Sequence, residues 1–98
     1  MIRHLSFWNC VLEEPEKAEL VYRLDLRFRA LIPYCPGLLR THVMHTRPGS
    51  THDILVCLEF SDQAALDTYQ FNSRHLSLRA ETGHLLTDHA FVTVEIPE

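Results

Sequence analysis

Lysine is almost missing from this chain: Lys17 is the only one, and the other eight of its nine cations are arginines, set against thirteen acidic residues. A net charge of −4 leaves no basic surface for a phosphate backbone, which excludes nucleic acid as a partner. Glycine occurs three times and proline five times in 98 residues, while 46% of the residues are apolar, so disordered and fibrous classes fall away. The three cysteines, Cys10, Cys35 and Cys57, are odd in number and share no close spacing. That excludes a disulfide framework and a CxxC metal or redox site, and points to a reduced, cytoplasmic protein. No run of about 18 apolar residues marks a membrane span, and Arg3 and His4 open an N-terminus without the apolar stretch of a signal peptide. The expectation is one soluble domain over residues 1–98, with no membrane partner. A chain this short buries a modest share of its surface, so a second copy is the natural way to enlarge its core.

What is present is a regular alternation of strand and helix signals. Residues 2–8 place Leu5 and Phe7 on one face and Ile2, His4, Ser6 and Trp8 on the other, which predicts a strand covered on both sides. Glu13, Glu14 and Glu16 around Pro15 suit a helix start, and the helix should run over 14–31. Its buried stripe is Val21, Leu24, Phe28 and Leu31, with Arg23, Arg27 and Arg29 off it. Residues 38–46 predict a second strand, 47–51 a turn, and 53–60 a central third strand paired with the second. Ser61 and Asp62 cap a short helix that reaches Tyr69 or Phe71. Asn72 or Ser73 caps a further helix over about 74–86, and residues 90–96 close the chain as a fourth strand. The order β-α-β-β-α-β, with an extra short helix before the last strand, is that of an α+β, ferredoxin-like protomer.

Seven histidines are the unusual feature of the composition. No HExxH occurs, and His42 and His45 would fall on opposite faces of a strand, so no metal site is expected. GxSxG, GxGxxG and Walker loops are also missing, which leaves acid–base chemistry by His and Tyr. His4 is a candidate because it lies mid-strand among apolar residues; the plainer alternative is a hydrogen-bonded core imidazole. Tyr69 and His75 are the others. On one straight helix they would stand about 240° apart, but a break at Asn72-Ser73 can aim both into one cavity. The plainer alternative is a helix-end tyrosine and a histidine in a capping turn.

In succession, Met1 to Leu5, Pro36-Gly37, Ser50 to Asp53, Glu59 to Asp62 followed by Ala64-Ala65-Leu66, the Tyr69/His75 spacing and the final Val94-Glu95-Ile96 resemble the stress-responsive dimeric α/β-barrel (Dabb) family. The likeness spans nearly the whole chain. It implies a homodimer that closes a dimeric α/β barrel sheet against sheet, with a small cavity between sheet and helices in each protomer. Some members are polyketide cyclases that use a Tyr and a His, without metal or organic cofactor. Their motif Tyr-x-x-His-Pro-x-His is met here by Tyr69 and His75 at the outer positions, while Asn72-Ser73 replaces the inner His-Pro. His4 matches the first-strand histidine.

The resulting expectation is a cofactor-free protein that binds a small, largely apolar carbonyl compound and performs an aldol or cyclisation step. His75, with an imidazole pKa near neutral, would be the base, Tyr69 the donor to the enolate oxygen, and His4 an orienting group or relay. Ser6, Phe28 and Val56 would form the wall. The alternatives are a non-catalytic ligand-binding or stress protein and a cofactor-independent monooxygenase using the same cavity.

Overall fold

The computed structural model describes residues 1–97. Four antiparallel strands, β1 (Ile2–Cys10), β2 (Leu38–His45), β3 (Ile54–Phe60) and β4 (Leu86–Glu95), form one sheet in the order β2-β3-β1-β4. Helices α1 (Glu16–Arg29), α2 (Gln63–Gln70) and α3 (Ser73–Thr82) complete an α+β, ferredoxin-like βαββαβ protomer, α3 being the extra short helix. Among the described residues, no helix is long and apolar enough to cross a membrane.

The register sorts side chains into rows across the sheet. Thr41, Leu58, His4 and Thr93 make one row, and Val43, Val56, Ser6 and Phe91 the next; both face the helices. Against them pack Leu20, Val21 and Leu24 of α1, Leu66 and Tyr69 of α2, and Leu78 of α3, around the fully buried Ile54 and Phe60. The alternate rows, His42-Cys57-Leu5-Val92 and Met44-Leu55-Phe7-Ala90, lie on the opposite face. There Leu5, Phe7, Leu55, Cys57 and Met44 are only half-buried, and Val92 is exposed. The flanking row on that face carries charge, with Arg3 Nη2 2.8 Å from Glu59 Oε1.

α1 begins at Glu16 instead of Glu14, because Pro15 is the residue that precedes the first helical turn. It ends at Arg29 instead of Leu31, where the backbone tightens into a 3₁₀ turn over Ile32–Tyr34, yet Leu31 stays buried as the stripe required. Two Glu/Asp–Arg pairs at i,i+4, Glu19–Arg23 and Asp25–Arg29, brace its outer surface. β1 runs two residues further than its composition suggests, since Asn9 and Cys10 pair with Thr87 and Leu86 of β4 and the Cys10 N–H donates to Asp53 Oδ2. For the same reason β4 starts at Leu86, four residues before Ala90, and α3 stops at Thr82 followed by a 3₁₀ turn. A bulge between Phe7 and Asn9 accommodates Asp88 at φ 55°.

Gly37 is required where β2 departs. Its φ is +85°, and an added Cβ would meet the Ala65 Cβ at 2.4 Å and the Ser61 Oγ at 2.9 Å. Its carbonyl accepts from the Ser61 N–H, so the chain entering β2 is fastened to the turn before α2.

Candidate functional site

The break between α2 and α3 is built by Asn72. Its Oδ1 accepts from the backbone N–H groups of Arg74 at 2.9 Å and His75 at 3.3 Å, while its Nδ2 donates to the Tyr34 carbonyl at 2.9 Å. Capping starts α3 afresh in a new direction, so the inner face of α2 and the inner face of α3 both look at the sheet. Tyr69 and His75, 3% and 5% exposed, therefore meet in spite of their helical phase. Their rings stack at a centroid distance of 4.0 Å and an interplanar angle of 21°.

The His75 Nδ1 lies 3.1 Å from the Tyr69 main-chain carbonyl. A carbonyl can only accept, so Nδ1 carries the proton and Nε2 keeps its lone pair. Burial pulls the His75 pKa down to about 4; the Arg79 and His4 charges act in the same direction, and the Tyr69 carbonyl opposes them. That corrects the expectation of a near-neutral pKa. The ring is a neutral imidazole throughout the physiological range. Burial moves the Tyr69 phenol the other way, well above its ordinary range, so it remains an O–H donor.

Both residues border a partly open cavity of about 300 Å³ between the sheet and the helices. His4, Ser6, Phe28 and Val56 border it too, so the six residues singled out from the sequence share one cavity. The strands supply His4, Ser6 and Val56 from the helix-facing rows, and α1 supplies Phe28. His4 Nδ1 is held at 2.8 Å by Thr93 Oγ1, and its pKa is lowered by burial and then by His89. Among the described residues no hydrogen bond engages the Tyr69 or Ser6 hydroxyl, and both residues border the cavity.

Sequence reasoning did not assign Trp8 and His89 to the site. Their rings stack at 4.0 Å and 6°, forming a flat second wall, and His89 also lies 5.8 Å from Phe91. The signal for Trp8 was its place on the His4 and Ser6 face; His89 had none, because its strand begins where the local sequence lacks alternation. Leu58, Leu78 and Leu86 make the apolar remainder, with Gln70, Arg79 and Thr82 on the helical side. Among the described residues no three His, Cys, Asp or Glu side chains converge as a metal-ligand set.

No protein-family model matches the chain, and no curated protein matches it. Solved structures do. A dimeric protein of unknown function with a ferredoxin-like fold from Bacteroides fragilis superposes with a TM-score of 0.82 at 17% identity, covering 97% of this chain and 95% of the other. A Dabb-family protein with a ferredoxin-like fold from Mesorhizobium loti gives 0.77 at 15%, over 99% and 97% of the two chains. An antibiotic biosynthesis monooxygenase gives 0.72 at 16%, over 100% of both. At these identities the shared property is the ferredoxin-like fold.

Proposed function

We propose that the chain is a Dabb-type, homodimeric protein whose cavity binds a small, largely apolar carbonyl compound and catalyses an aldol or cyclisation step on it. The observation that carries this reading is the Tyr69/His75 stack: a phenol held protonated and an imidazole held neutral, with Nδ1 occupied and Nε2 free, on the wall of one cavity. His75 Nε2 removes a proton α to a carbonyl, and the C–H electron pair becomes the enolate. The Tyr69 hydroxyl donates to the enolate oxygen as charge develops there. The enolate carbon attacks a second carbonyl of the same ligand, and the imidazolium returns its proton to the new alkoxide, so the step balances without an added redox partner. Trp8 and His89 offer a flat surface for the cyclised ligand, and His4 orients the ligand or relays a proton.

Homodimerisation is supported by the half-buried apolar rows on the sheet face opposite the helices and by structural neighbours described as dimeric. The free thiols of Cys10, Cys35 and Cys57 suit a reducing, cytoplasmic setting. The experiment is α-hydrogen exchange on acetophenone in D₂O, followed by NMR. Wild type should deuterate the methyl group faster than buffer, and His75→Ala should lose that acceleration. Exchange no faster in wild type than in His75→Ala, with the ligand still bound, would establish the non-catalytic binding reading instead.

A further inference from the structure

Nearly every cation of this molecule is already engaged. Arg3, Lys17, Arg23, Arg27, Arg29 and Arg40 each lie within 4.0 Å of a carboxylate, and the Arg74 guanidinium sits 3.6 Å above the Tyr34 ring. Arg47 and Arg79 have no ion pair among the described residues, and of the two it is Arg79 that borders the cavity. It follows His75 by four positions on α3, one turn along the same side of the helix. The cavity wall holds no Asp or Glu, so its charge is the single guanidinium, beside neutral imidazoles and aliphatic side chains. The Arg79 charge is felt through the site, since it favours the ionised Tyr69 and disfavours protonation of His75 and His89.

From this arrangement we infer that the cavity selects amphipathic monoanions: an apolar body lies between the Trp8/His89 and Tyr69/His75 stacks, and a carboxylate at one end meets Arg79. A planar guanidinium matches a carboxylate with two parallel N–H donors, and no acidic neighbour on the wall competes for it. A single cation suits one negative charge, and the apolar walls suit a carbon skeleton better than a hydrated polyanion. At about 300 Å³ the cavity stands at the small end for organic ligands, which fits a monocyclic acid. This inference rests on the cavity being a ligand site, as proposed above, and adds the charge of the ligand. It also restricts where the α-carbon can lie relative to His75, because anchoring one end of a chain on α3 limits how far the other end can slide.

The test uses Trp8, the only tryptophan of the chain and a cavity residue, as the reporter. Its fluorescence is titrated with 3-phenylpropionate and with the methyl ester of the same acid, and the ratio of the two affinities is taken within each protein. Wild type should bind the acid about tenfold tighter, Arg79→Gln should bring the ratio to about one, and Arg79→Lys should keep part of it. The wild-type ratio should shrink between low and high NaCl, a response that requires no variant to fold. An ester that binds wild type as tightly as the acid, or an Arg79→Gln protein that keeps the full preference, overturns the role of Arg79 and leaves the cavity a ligand site. Failure of both compounds to perturb Trp8 overturns the inference together with the reading beneath it.

Discussion

The two faces of one sheet differ in what they bury. On the helix-facing side, His4, Ser6, Thr41 and His75 are polar groups surrounded by a packed apolar core, and the space they leave is a cavity. On the opposite side the rows are more uniformly apolar, with Leu5, Phe7, Leu55 and Cys57 in the middle, yet no element of this chain covers them among the described residues. Polar groups buried and apolar groups uncovered is the reverse of what burial energetics favours in a self-sufficient monomer. The pattern makes sense if the helix face serves chemistry and the open face serves association. Each prediction below tests one side of that contrast.

The largest effect is expected on the open face. Leu55→Asp places a charge in the row Met44-Leu55-Phe7-Ala90, where an isologous partner would remove it from water without a counter-ion. Dimer dissociation should rise by about a thousandfold, roughly 4 kcal/mol, so that sedimentation shows a monomer at micromolar concentration while circular dichroism keeps the fold. A wild type that sediments as a monomer would end the contrast.

On the cavity face, His75→Ala should reduce α-hydrogen exchange by about a hundredfold and leave the dimer intact. Tyr69→Phe should cost about tenfold, because it deletes a donor to the developing oxyanion while the base remains. Equal losses in both variants would mean that the stack acts as packing and not as a base and a donor.

Protonation gives a smaller effect of known sign. The folded-state pKa of His75 is about 4, below the ordinary value of 6.5, and those of His4 and His89 are also lowered by burial. Between those values the unfolded chain binds more protons than the folded one, so stability is fully present above pH 6.5 and declines as pH falls toward 4. The urea midpoint should drop between pH 7 and pH 5, and His75→Phe should flatten that slope. Exchange activity should already be at its plateau by about pH 6, since the base is deprotonated well below neutrality.

Much of this was legible from the residue order. Alternation in β1 and β3 gave the two faces, and the polar Asn72 between two amphipathic segments marked the break that brings Tyr69 and His75 together. The start of β4 was not legible: Leu86 to His89 is strand only because Asn9 and Cys10 pair with it across a bulge, and a cross-strand register leaves no local trace. With the helix taken to Leu86 and the strand only from Ala90, His89 belongs to neither element, and its stack on Trp8 could not be foreseen. Nor could the depression of the His75 pKa, which comes from burial and so depends on how the folded chain packs around the ring. The unengaged state of Arg79 is likewise a property of the whole set of ion pairs and not of its own neighbours in the chain.

The smallest prediction compares two threonines within a single helix-facing row. Thr93 Oγ1 has a use, holding His4 Nδ1 at 2.8 Å, whereas Thr41 Oγ1 is buried with no hydrogen-bond partner. Burying a hydroxyl without a partner costs on the order of 1–3 kcal/mol, and valine fills nearly the same volume with a higher preference for strands. Thr41→Val should therefore stabilise the protein by about 1 kcal/mol and raise Tm by roughly 4–8 °C, with exchange activity unchanged. Thr93→Val should do the opposite, because it frees the His4 ring. The loss should be a few tenths of a kcal/mol to about 1 kcal/mol, since water reaches this exposed edge strand and can replace the hydroxyl. The activity of Thr93→Val should also fall, as an imidazole released from Nδ1 no longer holds a fixed orientation toward the ligand. If both substitutions stabilise the protein and neither affects exchange, His4 is a packed core residue and its place in the site is lost, while the Tyr69/His75 pair stands.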